Sequence, residues 1–162
     1  MITKRLMRLS AFLLTVVFSL SVLTACGDDN DEPEGFDFGK PVTYSGVLTV
    51  VESSSPAIVT YSQDLQITMK SLTSGKVAMY GVNLAGNIVD IVVDDLEAQV
   101  QDDLFRTVYN GSATQTLDIN GEQVEAKISL SATEYWTGNC TCSVMVTYKS
   151  SNYSLTFDGN RK

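Results

Sequence analysis

From Lys40 onward the dominant period of apolar residues is two, which is the period of a β-strand that buries one face. In the clearest run, residues 124–132, Val, Ala, Ile and Leu alternate with Glu, Lys and Ser. Residues 140–148 and 153–157 repeat the pattern, with turn residues between them. Strand-sized runs at a spacing of about 8–12 residues predict an antiparallel sandwich or barrel.

The dipeptide Asn120-Gly121 lies between two such runs, and Asn-Gly in that setting is a strong signal for a β-hairpin. A type I′ turn needs positive φ at both central residues, which Asn and Gly adopt most readily. This turn would place Ile119 opposite Glu122 and Leu117 opposite Val124. The sequence therefore predicts a hairpin of defined register within an antiparallel meander of four strands.

Residues 95–109 allow two interpretations. Apolar residues at a spacing of four follow a start that resembles a capping box, which favours an amphipathic helix. In the competing interpretation, a strand ends at Leu96 or Val100, the chain turns at residues 101–103, and the next strand covers residues 105–109. We expect the turn, because the segments on both sides are strongly β-forming and a meander has to continue through this region.

The N-terminus has the pattern of a secretory signal. Three positive charges within the first eight residues precede an apolar run at residues 9–23, which is shorter than the ~20 residues of a membrane-spanning helix. The run ends in Leu23, Thr24, Ala25 and Cys26, which resembles the lipobox of bacterial lipoproteins. The resemblance implies cleavage before Cys26 and a diacylglyceryl group on its thiol, and thus a membrane anchor.

An acidic segment follows the lipobox. Its composition is too polar to bury surface, so we expect residues 26–39 to be a solvated tether between a signal peptide at 1–25 and a domain at 40–162. The segment resembles the acidic export signal of surface-exposed lipoproteins of some Gram-negative bacteria, which implies an outer-membrane location facing outward, with a periplasm-facing location as the alternative. The residues that match that signal are Asp28, Asp29, Asp31 and Glu32.

Charge and composition exclude several classes of function. The chain has 11 basic and 19 acidic residues, a net charge of −8. Residues 1–25 hold three of the bases and no acid, so the remainder has 11 − 3 = 8 bases against 19 acids, or −11. This charge argues against nucleic acid as a partner. Because the chain has no His, the commonest general base and metal ligand is missing, and we expect neither an enzyme nor a cofactor.

Cys140 and Cys142 stand two residues apart in a predicted strand, so their side chains share one face. The Cα atoms of such a pair lie about 6.5–7 Å apart, at the upper edge of disulfide geometry. Two thiols also fall short of the four ligands of a structural zinc site. We expect either two small apolar core residues or one local bridge, and no metal.

Aromatic residues flank the last turns of the chain, at Tyr135-Trp136, Tyr148 and Tyr153. Aromatic rings at a barrel rim can line the mouth of a ligand pocket or stack on a sugar. More commonly they cap a core with one polar edge in water, and we expect that role.

Four segments, in chain order, resemble lipoproteins with a calycin-like, or lipocalin-like, domain. They are residues 42–50 with Tyr-x-Gly-x-Leu, residues 86–93 with Gly-Asn-Ile, residues 109–114, and residues 155–162 with Phe-x-Gly. The resemblance covers residues 40–162. It implies an eight-stranded up-and-down barrel, closed or half-open, which either holds one apolar molecule or fills its interior with side chains.

Together these features predict a membrane-anchored surface lipoprotein whose barrel binds a small apolar or amphipathic ligand. The alternative is an envelope interaction or structural protein with a filled barrel, which binds a protein or a glycan through its outer surface. The residues expected to line a pocket are Ile67, Val92, Ile128, Leu130, Val144, Val146 and Leu155.

Overall fold

The alternating pattern folds into eight antiparallel strands that close an up-and-down barrel, in which each strand pairs with its neighbours in sequence and β8 pairs with β1. The structure is a computed structural model that describes residues 37–55 and 57–162. It confirms the all-β, eight-stranded architecture expected from the sequence. The strands are β1 (Pro41–Glu52), β2 (Ile58–Ser71), β3 (Ser74–Leu84), β4 (Asn87–Gln101), β5 (Arg106–Ile119), β6 (Glu122–Tyr135), β7 (Asn139–Tyr148) and β8 (Ser151–Arg161).

The hairpin between β5 and β6 has the predicted turn and register. Asn120 has φ 55° and Gly121 has φ 81°, as a type I′ turn requires. Leu117 lies opposite Val124, and Ile119 lies opposite Glu122. The turn thus sets the phase of β6, whose apolar residues face the interior.

Residues 95–109 form the turn and not the helix. β4 continues to Gln101, a short 3-10 turn covers Asp102–Leu104, and β5 begins at Arg106. Leu96 and Ala98 are both buried, which is the two-residue period of a strand. Leu104, which would lie on the apolar face of a helix, is 51% exposed.

Two bulges interrupt the β3–β4 pair and change which residues face inward. The register shifts between Gly75 and Val77 and again between Met79 and Val82. On β4 the inward phase moves from Val93 to Leu96 across Asp95, which has φ 55°. An extra residue in one strand has this effect because it reverses the alternation beyond it.

The prediction that Val92 faces the interior is wrong. Ile91 and Val93 are fully buried, whereas Val92 lies between them on the outer face and is only half-buried. Because three consecutive residues are apolar, a two-residue period does not show which of them face the interior. The other six residues expected in the interior are buried there: Ile67, Ile128, Leu130, Val144, Val146 and Leu155.

The far half of the β3–β4 hairpin, residues 79–92, is named here the hairpin tip. The β2–β3 ladder begins only at the pair of Gln66 with Ala78, and the β4–β5 ladder only at the pair of Glu97 with Asn110. The backbone ladders with β2 and β5 therefore do not extend to the tip. Glutamine side chains bridge the two gaps.

The closing pair of strands depends on glycine. Gly46 of β1 lies opposite Gly159 of β8, and a Cβ atom on Gly46 would stand 2.0 Å from the carbonyl oxygen of Asp158. No other residue permits so close an approach of two backbones.

Candidate functional site

The strand directions give the barrel two ends. At the proximal end β1 begins, and the β2–β3, β4–β5 and β6–β7 turns lie around it. Just inside this end, the phenols of Tyr44 and Tyr109 both donate hydrogen bonds to the carboxylate of Glu134. Tyr44 bonds Oε1, and Tyr109 bonds Oε2 at 3.0 Å. Three strands, β1, β5 and β6, thus place one polar cluster in an apolar interior.

The local sequence explains how the cluster fits. Glu134 is in phase with the inward residues of β6, two positions beyond the buried Ala132. Gly75 on β3 provides the space for the Tyr109 ring, because a Cβ atom there would lie 2.6 Å from that ring. Sequence reasoning missed this cluster, although the phase of Glu134 in the alternating run was a readable signal for an inward carboxyl group.

Burial determines the chemistry of this cluster. Loss of water raises the pKa of Tyr44 and the pKa of Tyr109 well above the ordinary value, and Glu134 raises both further. The phenols therefore stay protonated and act as hydrogen-bond donors at neutral pH. With both oxygens occupied, the carboxylate of Glu134 is a satisfied interior group.

The two cysteines are free thiols buried in β7, which agrees with the expected role as small core residues and not with a local bridge. Burial raises the pKa of Cys140 to about 12, with Glu134 and Asp158 adding to the shift. Burial also raises the pKa of Cys142. Such thiols are unreactive in the folded state. Among the described residues, no group of three or more Cys, Asp or Glu side chains could hold a metal ion.

The aromatic residues near the last turns lie at opposite ends of the barrel. Tyr148 and Tyr153 stack at the distal end, with ring centroids 5.5 Å apart and hydroxyls 3.1 Å apart, and both are buried. This pair caps the core as expected. At the proximal end, Trp136 is exposed and meets the Phe105 ring edge-on.

The interior side chains expected to line a pocket pack against one another. Ile128, Val146 and Leu155 have no exposed surface, so no water-sized space borders them. In the surrounding cluster, Leu65 and Leu48 are equally inaccessible. This part of the barrel interior is filled by its own side chains.

A groove of about 700 Å³ lies on the outer face, where β1 and β2 approach β3. The ring of Tyr80 is 50% exposed beside it. Asp64 in the groove accepts hydrogen bonds from Ser45 at 2.5 Å and Lys162 at 2.7 Å, and these lower the pKa of its carboxyl group. The lining residues are Ser45, Gly46, Val47, Ser62, Gln63, Asp64, Gln66 and Tyr80.

The predicted anchor and export residues lie outside the described residues. They are Leu23, Thr24, Ala25 and Cys26, followed by Asp28, Asp29, Asp31 and Glu32. Within the part of the chain that the structure describes, none of the helical segments has the length and apolar character needed to span a bilayer.

Comparison with known proteins identifies no relative. The chain matches no protein-family model, and neither the curated proteins nor the solved structures include a significant match.

Proposed function

We propose that the chain is a lipid-anchored protein of the outer membrane whose filled barrel binds an envelope glycan through the outer groove. The observation that carries the proposal is the packed interior. Because side chains such as Ile128, Val146 and Leu155 leave no water-sized space beside them, this part of the interior has no room for a ligand, which favours a partner that contacts the outside of the barrel.

The groove has the chemistry that sugars require. A sugar ring presents C–H groups to an aromatic face and hydroxyls to polar side chains, and Tyr80 supplies the exposed ring. Gln66 and Ser62 supply an amide and a hydroxyl beside it, and Asp64 supplies carboxylate acceptors. The chain has no His, the commonest general base and metal ligand in enzymes, and this is consistent with a binding role.

Binding of soluble oligosaccharides tests this function. We expect the purified chain to bind muropeptides or lipopolysaccharide core sugars in calorimetry, and Tyr80→Ala to weaken binding at least about tenfold. Met145→Ala is the matched control, since Met145 is similarly exposed on the outer face, away from the groove. Absence of binding to all sugars, or equal binding by Tyr80→Ala, would contradict the proposal.

The anchor is tested separately. We expect Cys26→Ala to move the protein from the membrane fraction to the soluble fraction, whereas Cys140→Ala leaves it in the membrane. Retention of the Cys26→Ala protein in membranes would contradict the lipid anchor.

A second candidate function, binding of a small amphipathic molecule inside the barrel, rests on the hairpin tip. Since side chains alone join the tip to β2 and β5, it is the part of the wall most easily displaced. Native mass spectrometry of protein purified from its own host tests this function. A retained lipid or pigment would support it, and a spectrum of the bare chain would count against it.

A further inference from the structure

Four large apolar side chains are exposed on the three turns of the proximal end. They are Leu72 (43% exposed), Leu104 (51%), Phe105 (62%) and Trp136 (46%), and together they are named here the apolar rim. Phe105 and Trp136 hold two of these turns together. Their ring centroids are 5.7 Å apart, and the Trp136 backbone N–H donates to the Phe105 carbonyl at 2.9 Å.

Phe105 makes the rim unusual. Its backbone lies in the left-handed region, with φ 49° and ψ 47°. A bulky residue seldom adopts this conformation, which Gly and Asn adopt with less strain. Apart from its contact with Trp136, the Phe105 ring buries little surface in the barrel, since it is 62% exposed on a strained backbone. This combination points to a contact outside the barrel.

The chain leading from Cys26 reaches the barrel at the same end. β1 begins there at Pro41, and the Gly39 N–H donates to the Met69 carbonyl near the end of β2, at 2.8 Å. Asp37 lies eleven positions beyond Cys26, a span of at most about 40 Å when fully extended. A lipid on Cys26 would therefore keep the proximal end within about 40 Å of the bilayer, near enough for the turns at that end to reach it.

We propose that the apolar rim inserts into the headgroup region of the bilayer that holds the lipid anchor. This inference rests on the anchor in the proposed function. Trp and Phe favour that region, because it accommodates an apolar ring together with polar groups. Asp102 and Asp103 directly precede Leu104 and keep the insertion shallow, since a charged group is expensive to bury in lipid.

The orientation of the barrel follows from two points of attachment. A lipid on a tether leaves the domain free to rotate, whereas rim and lipid together would hold the barrel with its strands rising from the membrane. The distal end also exposes Ile58 and Ile88, but these lie at the other end of the strands from the attachment point and include no aromatic ring. They provide a matched control.

Fluorescence tests the proposal directly, because Trp136 is the only tryptophan in the chain. The full lipidated protein is reconstituted into phosphatidylcholine vesicles with or without bromine on the acyl chains. We expect a blue-shifted emission and at least about twofold quenching by the brominated lipid. Ile58→Ser combined with Ile88→Ser should leave the quenching unchanged.

A double variant, Leu104→Ser with Phe105→Asn, should lose most of the quenching, and Asn suits the left-handed backbone at that position. Circular dichroism checks that the variant is folded. The wild-type result stands by itself: equal emission in brominated and plain vesicles would overturn the rim contact, whatever the variant does.

Vesicle flotation and the mass of the purified chain distinguish a failure of this inference from a failure of the proposed anchor. A chain that floats with vesicles and is quenched supports both. A chain that floats without quenching overturns the rim and leaves the anchor standing. If the mass of the chain purified from the envelope shows no lipid on Cys26, the anchor is overturned. The rim contact then stands only if brominated vesicles quench Trp136 of the unlipidated chain.

Discussion

At the scale of single residues, the unusual feature of this barrel is the carboxyl group of Glu134 in a mainly apolar interior. A carboxylate is tolerated there because two phenols donate to it and because part of its surface still meets water. Tyr109 is fully buried, and Tyr44 is nearly so. The phenols therefore depend on Glu134 as much as Glu134 depends on them, since each would otherwise be a buried polar group without a partner.

This cluster predicts a loss of stability in alkaline solution. Burial and Glu134 raise the pKa of Tyr44 and Tyr109 above the value of about 10 that phenols have in the unfolded chain. Above about pH 10 the folded state therefore binds more protons than the unfolded state, and the free energy of unfolding falls as pH rises. Urea unfolding between about pH 9 and pH 11 should show this fall, and it should be smaller in Tyr109→Phe.

The same variant should also lower stability at neutral pH. Tyr109→Phe keeps the ring but removes a hydrogen bond to a charged group, which contributes roughly 1.5–3 kcal/mol, and the partial exposure of Glu134 favours the lower value. Tyr80→Phe, which changes a half-exposed phenol on the outer face, is the control and should have little effect. An unchanged alkaline profile in Tyr109→Phe would contradict the role assigned to the cluster.

The sequence reveals only part of this cluster. The phase of Glu134 follows from a clean alternating run, so its inward direction is predictable. Its partner Tyr44 lies 90 positions away, and Tyr109 lies 25 positions away. Their convergence depends on the barrel closing between β8 and β1 and on strand tilt, which no local pattern encodes.

At the scale of elements, the hairpin tip differs from the rest of the barrel wall. The Gln63 side chain donates to the Tyr80 carbonyl at 2.9 Å, on the β2 side. On the β5 side, Gln115 donates to the Asp90 carbonyl at 2.7 Å and accepts from the Val92 N–H at 3.1 Å. Side-chain amides thus replace ladder bonds, so the tip can open without breaking a full row of backbone hydrogen bonds.

This arrangement predicts local opening at the tip. We expect backbone amides in residues 82–91 to exchange faster than those of β6 and β7, and Gln115→Ala to accelerate that exchange by roughly 30-fold, because two bonds of about 1 kcal/mol each are lost. Gln123→Ala removes only an exposed bond to Asp118 and is the control. Equal protection of the tip and of β6 would show that the side-chain bridges hold as firmly as a ladder.

Local signals explain which elements the sequence predicts correctly. Asn120-Gly121 contains its own turn chemistry, so the β5–β6 register needs no information from elsewhere. The run Ile91-Val92-Val93 contains no such signal, and the bulge at Asp95 changes the phase beyond it. The interior position of Val92 was therefore predicted wrongly, whereas regular strands such as β6 were predicted correctly.

At the scale of the whole molecule, the continuous ladders of the core and the side-chain bridges of the hairpin tip predict two levels of stability. Cys140 and Cys142 lie in β7, which has continuous ladders with β6 and β8 on both sides. Their thiols become reachable only when the core opens, while amides in the tip report its local opening. Thiol labelling would therefore measure global unfolding, separately from the local opening that we expect at the tip.

The number of thiols that react links this core to the membrane anchor. The chain has three cysteines, and a lipid on Cys26 would block one of them as a thioether. For protein purified from the envelope, we expect iodoacetamide to label no cysteine in the folded state, because burial raises the pKa of both core thiols, and two cysteines in denaturant. Mass spectrometry counts the labels.

Three labels in denaturant would show that Cys26 is a free thiol and would contradict the anchor, whereas labelling of Cys140 in the folded protein would contradict the packed core. The two failures fall on different cysteines, so one experiment tests the attachment of the molecule and the closure of its barrel independently.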